Sequence, residues 1–342
     1  MSFRRLVARW AIPVIGTILA IGVLFWLYQD LDFGRFLAGL ARANTAWLFV
    51  LAATILAEQL LRGWKWRQIL YDLKPISTWR LFGAILAGYG AATLIPLGIS
   101  PLVRSWLIAR LEDLRLACVL VTAAIERFID GIVFAAIVGI VVLAGQIPSA
   151  EGGLRLGLAV AGALNLAVFA GLLGALFLGR GALLSGTSRA GRLVDWLGAK
   201  GGTRLAGLRD AVAEGIVWPR QRARQLGIIA ASVAMKLVAA SHFLWSGLAV
   251  GVMLEALDYL FLLVFAGFAM VLARFVRVPG GFVIGAGFAL RLLGVGDEQA
   301  LAMIMFSNVL TILLMVGIGL LVLWRGGIVI RSLQVEGDKP DA

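Results

Sequence analysis

Glu58, Glu126, Arg127, Asp130 and Lys236 are ionisable residues set inside apolar stretches of the sequence. Glu126 and Asp130 are four apart, so on a helix they share a face while Arg127 points elsewhere. Charge at that depth is costly in low-dielectric surroundings and needs partners. Three roles stay open at this level: a structural salt bridge, a wet path for a polar group, or a proton-coupling site. Lys236 and Glu58 could neutralise each other, or one of them could pair with Glu126 or Asp130. Cys118 and His242 are the only cysteine and histidine, which excludes a disulfide framework and a Cys/His zinc site. No metal or cofactor is expected, and His242 reads as a helix-packing residue rather than a proton relay.

Two further groups of residues could act on anions. Arg62-Gly63-Trp64-Lys65-Trp66-Arg67 closes an apolar helix with cations and aromatics. That pattern predicts snorkelling anchors at the membrane interface, with Arg62, Lys65 and Arg67 as a secondary candidate for a first headgroup encounter. Pro96 to Arg104 and Arg274 to Gly281 each combine a helix-breaking proline with arginine. Free backbone N–H groups at a helix start and a planar guanidinium fork suit phosphate oxygens, which makes Pro96, Arg104, Arg277, Pro279, Gly280 and Gly281 candidates for a substrate path.

These residues need apolar helices to hold them. Hydrophobic residues make up 61% of the 342 and charged residues 15%, a balance that predicts an all-α polytopic membrane protein. The net charge of +12 does not point to nucleic acid, because the Lys and Arg flank apolar runs instead of covering one soluble face. Spanning helices are expected at about 10–28, 45–62, 118–144, 154–179, 225–250 and 300–324. Residues 81–99 and 259–294 are apolar but broken by Gly and Pro, which brings the apolar segments to eight.

Charge placement decides how the two broken segments behave. Between Arg180 and Arg224 the chain has nine Lys and Arg against three acids, so that loop belongs on the cytoplasmic side. This holds only if 81–99 enters and leaves from that side, together with the basic stretch of Arg104, Arg110 and Arg115. By the same argument 259–294 turns back from the other side. Six spans and two opposed re-entrant hairpins follow, an arrangement typical of inverted repeats, with both termini cytoplasmic. Residues 1–333 form one membrane domain and 334–342 a polar tail. Small-residue pairs at Gly153/Gly157, Gly247/Gly251 and Gly281/Gly285 offer sites of close helix packing.

Read together, these motifs resemble the flippase-like transmembrane region of the lysylphosphatidylglycerol synthases and their stand-alone relatives. Leu61-Arg62-x-x-Lys65-Trp66-Arg67, Pro96 to Arg104, Glu126-Arg127-x-x-Asp130 and Pro279-Gly280-Gly281 follow that family's motifs in order. Two departures stand out: Ser100-Pro101 replaces a Gly-Glu pair, and Gly285-Ala286 stands where an acid is expected. If those acids select a cationic headgroup, this chain handles a neutral or anionic one.

The resemblance implies a bacterial inner-membrane translocator of a phosphate-bearing lipid or lipid-linked headgroup. In that picture the headgroup is captured by Arg104 and Arg277 and passes Glu126, Arg127, Asp130 and Lys236. Membrane lipids are then the expected partners, and a homo-oligomer is compatible with the sequence. The alternative is an accessory scaffold of a lipid-synthesis assembly, such as a hopanoid-associated one. An embedded lipid-modifying enzyme is disfavoured, because the sequence has no P-loop, no H-x4-D acyltransferase pair and no DDxxD diphosphate site.

Overall fold

The computed structural model describes residues 16–94, 100–144, 152–185, 203–275 and 278–325. Among these residues the chain forms helices and no strand. In chain order they are α1 (Gly16–Leu27), α2 (Phe33–Ala41), α3 (Thr45–Leu70), α4 (Thr78–Leu94), α5 (Ser100–Leu111), α6 (Leu116–Ala144), α7 (Gly152–Ser185), α8 (Thr203–Gly215), α9 (Arg222–Ala249), α10 (Ala256–Phe275), α11 (Gly281–Leu292) and α12 (Asp297–Arg325). The fold is that of an all-α polytopic membrane protein.

Local chemistry sets several helix starts. The Asp32 carboxylate accepts hydrogen bonds from the amides of Gly34 at 2.8 Å and Arg35 at 3.1 Å, capping α2. Asn44 does the same for Ala46 at 3.0 Å at the start of α3. Asp258 reaches back to the Glu255 amide at 3.0 Å in the first turn of α10. Gly280 precedes α11 with φ 76°, a left-handed conformation that a side chain would strain.

Among the described residues, six helices are long and apolar enough to cross a bilayer: α3, α6, α7, α9, α10 and α12. Five of them coincide with expected spans. The sixth, α10, is the first arm of the segment expected to fold back, and by length and composition it could cross alone. The first expected span is described only from Gly16, and the tail 334–342 lies outside the described residues.

The chain divides into two compact units, and the divisions fall within α3, α6, α7, α9 and α12. The first unit comprises Met1–Ile55, Phe134–Leu164 and Lys236–Leu310. In it α10 and α11 pack as a helical hairpin. Glycine makes this contact close: a Cβ on Gly281 would run into Ala273, and one on Gly285 into Ala269. Arg291, at the end of α11, bonds the Leu27 carbonyl at 2.8 Å and pairs with Asp297 at 2.6 Å. Trp47 stacks on Trp245 with ring centroids 5.4 Å apart.

The second unit comprises Leu56–Val133, Asn165–Met235 and Thr311–Ala342. Its hairpin is α4 with α5, packed over a core that includes Trp66, Leu81, Ile85, Ile108 and Val119. A Cβ on Gly88 would lie 2.8 Å from the Ser100 carbonyl oxygen, so the start of α5 rests directly on α4. Gly90 and Gly319 bring α4 against α12 backbone to backbone, with 2.7 Å from a Cβ on Gly90 to the Gly319 carbonyl carbon.

Of the three expected glycine pairs, only Gly281/Gly285 forms a tight helix contact along its length. Gly153 and Gly157 meet nothing within 4 Å. Gly247 packs against the Val252 carbonyl, while Gly251 serves a turn with φ 78°.

Candidate functional site

The second unit holds a buried ion network built by three elements. From α3 come Glu58, Arg62 and Lys65; from α6 come Glu126 and Asp130; from α5 comes Arg104. Positions 58, 62 and 65 repeat at helical spacing and so line one face of α3, and 126 and 130 line one face of α6. The return arm of the hairpin delivers Arg104 between them.

The distances define a connected cluster. Lys65 Nζ lies 2.5 Å from Asp130 Oδ1 and 3.7 Å from Glu126 Oε1. Arg104 donates to Glu126 Oε2 at 2.8 Å. Arg62 donates to Glu58 at 3.1 Å, and its Nη1 stands 3.8 Å from both Glu126 and Asp130. Lys65 and Glu126 are 0% exposed. Within the cluster, Glu58, Glu126 and Asp130 balance Arg62, Lys65 and Arg104 in formal charge.

Aromatic and hydroxyl groups hold the cations in place. The Arg104 guanidinium lies over the Trp66 ring at 4.7 Å, a cation–π contact strengthened by burial. Trp66 Nε1 in turn donates to Thr122 Oγ1 at 3.1 Å, and Thr122 donates to the Val119 carbonyl on its own helix. On the other side of α6, Asn165 of α7 donates to the Gly131 carbonyl at 2.8 Å, and a Cβ on Gly131 would run into Phe169. The absence of a side chain at Gly131, one residue after Asp130, thus lets α7 close onto α6.

Arg127 differs from its neighbours. It is exposed, it stands within electrostatic reach of Arg62, Arg104 and Glu126, and among the described residues it has no ion-pair partner within 4 Å. Arg67 is half-buried, and among the described residues its Nε has no hydrogen-bond partner. Arg127 thus adds one further cation beside the balanced cluster and gives it an excess of positive charge.

Several expected site residues are placed differently by the structure. Arg62 and Lys65 do not snorkel; both point inward and pair with acids, because α3 continues to Leu70 and carries them inside the bundle. Arg104 does not lie in a basic loop. It is on a helix, buried and engaged by Glu126 and Trp66, so it is not free to grip a phosphate as it stands. Glu58 is paired with Arg62, not with Lys236, whose ammonium lies 5.6 Å from the centroid of the Phe134 ring in the first unit. Pro279 is exposed, Gly280 makes the left-handed turn and Gly281 packs on α10. Pro96 and Arg277 lie outside the described residues. Among the described residues the Ser307 hydroxyl donates to the His242 carbonyl, which ties α12 to α9.

The acids of this network are legible in the sequence, and its geometry is not. Nothing in the spacing of α3 and α6 shows that Lys65 meets Asp130, although a cationic Lys-Trp-Arg element and an acidic pair on two apolar helices are the signal to look for.

The transmembrane-region model of the lysylphosphatidylglycerol synthases matches residues 14–319, nearly the whole chain. The chain belongs to that family. Members are membrane proteins of lipid-related function, and the charged network described above lies within the matched part of this one. No match was found among curated proteins or among solved structures.

Proposed function

We propose that this member of the lysylphosphatidylglycerol synthase transmembrane family translocates a phosphate-bearing lipid between the leaflets of the bacterial inner membrane, with both termini cytoplasmic. The observation that carries the reading is the charge arrangement of the second unit. A neutral, fully paired set of three acids and three bases is buried at its centre, and Arg127 stands accessible at its edge. A buried paired cluster is an expensive way to hold helices together, since apolar side chains of similar volume often do so as well or better. Ionisable groups in spanning helices are the default markers of a polar path.

The working mechanism uses exchange of partners. An entering phosphate first meets Arg127, which has no ion-pair partner to give up. It then competes with Glu126 and Asp130 for Arg62, whose Nη1 is already 3.8 Å from each carboxylate and among the described residues makes no hydrogen bond. The acyl chains stay in lipid throughout. The missing hairpin acids favour a neutral or anionic headgroup over a cationic one. No aminoacyl or other chemical transfer is part of the proposal, and the chain acts without being an enzyme.

The test is leaflet exchange of a fluorescent phospholipid in proteoliposomes. Arg127→Ala should abolish exchange while leaving the protein folded, and exchange at the unsubstituted rate would reject the translocator reading. The second reading, a scaffold in a lipid-synthesis assembly, draws on the completeness of the pairing. It requires that proteoliposomes of the unsubstituted protein show no exchange at all.

A further inference from the structure

We propose that the cavity between the end of α7 and the loop joining α8 to α9 is a docking site for the phosphodiester headgroup of an anionic membrane lipid. The cavity has a volume of about 430 Å³ and is lined by Asp72, Arg180, Val217, Trp218 and Arg220, all of the second unit. That volume is in the range of a small-ligand pocket.

The loop is built rather than loose. The Arg220 amide donates to Asp72 Oδ2 at 3.1 Å, and the Pro219 carbonyl accepts from Gln225 at 2.8 Å. Trp218 is held edge-on against Phe177 of α7, with centroids 6.2 Å apart. Next to the loop, Arg224 stacks over Tyr71 and donates to Gln68 at 2.8 Å, which fixes the start of α9. One oxygen of Asp72 is thus held by the backbone, and the lining carries two cations against this one acid. The guanidiniums of Arg180 and Arg220 are exposed, and among the described residues neither has an ion-pair partner.

Two planar forks, neither ion-paired among the described residues and together outweighing Asp72 in charge, stand beside a fixed indole and suit a phosphodiester. The position selects a lipid over a free anion. The α7 segment long and apolar enough to span carries no charge between Arg155 and Arg180, so Arg180 marks its basic end, where an arginine belongs at interface depth. Leu176 and Leu173, four and seven residues earlier on the same helix face, offer an apolar track for an acyl chain. Tryptophan and arginine at that depth are the usual contacts of a headgroup. The site is separate from the buried network, so a lipid can dock here whether or not it is transported.

The experiment is native mass spectrometry of the full chain released from detergent containing equal amounts of phosphatidylglycerol and phosphatidylcholine. The expected result is preferential retention of phosphatidylglycerol, reduced about tenfold in the double variant Arg180→Gln/Arg220→Gln. Trp218→Ala should weaken retention less. The double Lys variant, which keeps the charge but loses the forks, should fall between the unsubstituted protein and the Gln variant. Equal retention of the two lipids, or unchanged retention in the Gln variant, overturns the proposal. A third arm adds millimolar inorganic phosphate: displacement of the lipid would show a free-phosphate site and overturn the assignment to lipid. Leaflet exchange in the same Gln variant is read separately, so failure of docking and failure of transport are told apart.

Discussion

Lys65 and Asp130, 65 residues apart in sequence, meet at 2.5 Å in surroundings that leave the lysine 0% exposed. The contact joins α3 to α6 inside an apolar bundle, where an ammonium without a carboxylate would be hard to keep charged.

Removing one side of that pair should therefore hurt more than removing both. Lys65→Met leaves Asp130 and Glu126 short of positive charge, and the cost should be roughly 3–5 kcal/mol. Replacing both partners, as Lys65→Met with Asp130→Leu, should recover a good part of the loss. Thermal unfolding followed by size-exclusion chromatography in detergent measures both. A single variant as stable as the unsubstituted protein would show that the pair contributes nothing to stability.

Arg104 and Arg127 should separate stability from transport. Arg104→Ala breaks a buried bond to Glu126 and a contact with Trp66, and should lower the melting temperature clearly. Arg127→Ala removes a side chain with no ion-pair partner among the described residues, so stability should change by no more than about 0.5 kcal/mol. If the two variants melt alike, the division of labour between them is wrong.

Glycine contacts give a packing test. A methyl group on Gly319 would run into the Leu86 carbonyl oxygen, which is backbone and cannot swing aside. Gly319→Ala should cost about 1–3 kcal/mol by overpacking. Gly139→Ala, in open space, should be neutral or stabilising by up to about 1 kcal/mol through helix propensity. The order of the two melting temperatures decides the matter.

The loop between α5 and α6 predicts a pH effect. Burial pushes the Glu112 carboxyl up, but hydrogen bonds from Arg80 at 2.8 Å and from Lys74 outweigh it and hold the group below the ordinary carboxylate value of 4.5. A carboxylate with a depressed folded pKa stabilises above its unfolded value and loses that contribution as the pH falls through the folded one. Stability should thus decline as the pH drops below about 4.5, and Glu112→Gln should flatten that part of the curve. Equal acid sensitivity in the two proteins would assign the effect to other groups.

Orientation can be read by labelling. A cysteine at Gly207, which is exposed and meets nothing within 4 Å, should resist a membrane-impermeant thiol reagent applied to whole cells and react after lysis. Labelling from outside would reverse the charge argument for the side on which the 180–224 stretch lies.

The solvent and the class of fold follow from composition and the length of the apolar runs. Long apolar runs fix spanning helices because every backbone polar group in lipid must be bonded within its own helix, and α3, α6, α7, α9 and α12 appear where the runs are. The break at Pro279-Gly280-Gly281 was equally legible, since proline and a left-handed glycine end one helix and start another. Glu126 and Asp130 declared themselves by being acids in an apolar run. Which charge meets which follows from the packing of one helix on another and is not legible in the chain. Lys65 and Arg62 read as interfacial anchors because a Trp-rich basic motif has the same composition at a membrane surface as at a buried ion cluster. Arg104 read as part of a basic edge because the return of α5 onto α4 depends on Gly88, a contact between residues distant along the helices. Composition records how costly a charge is at a given depth, but its partner comes from another helix, and side-chain periodicity within one helix carries no information about the rotation of the next.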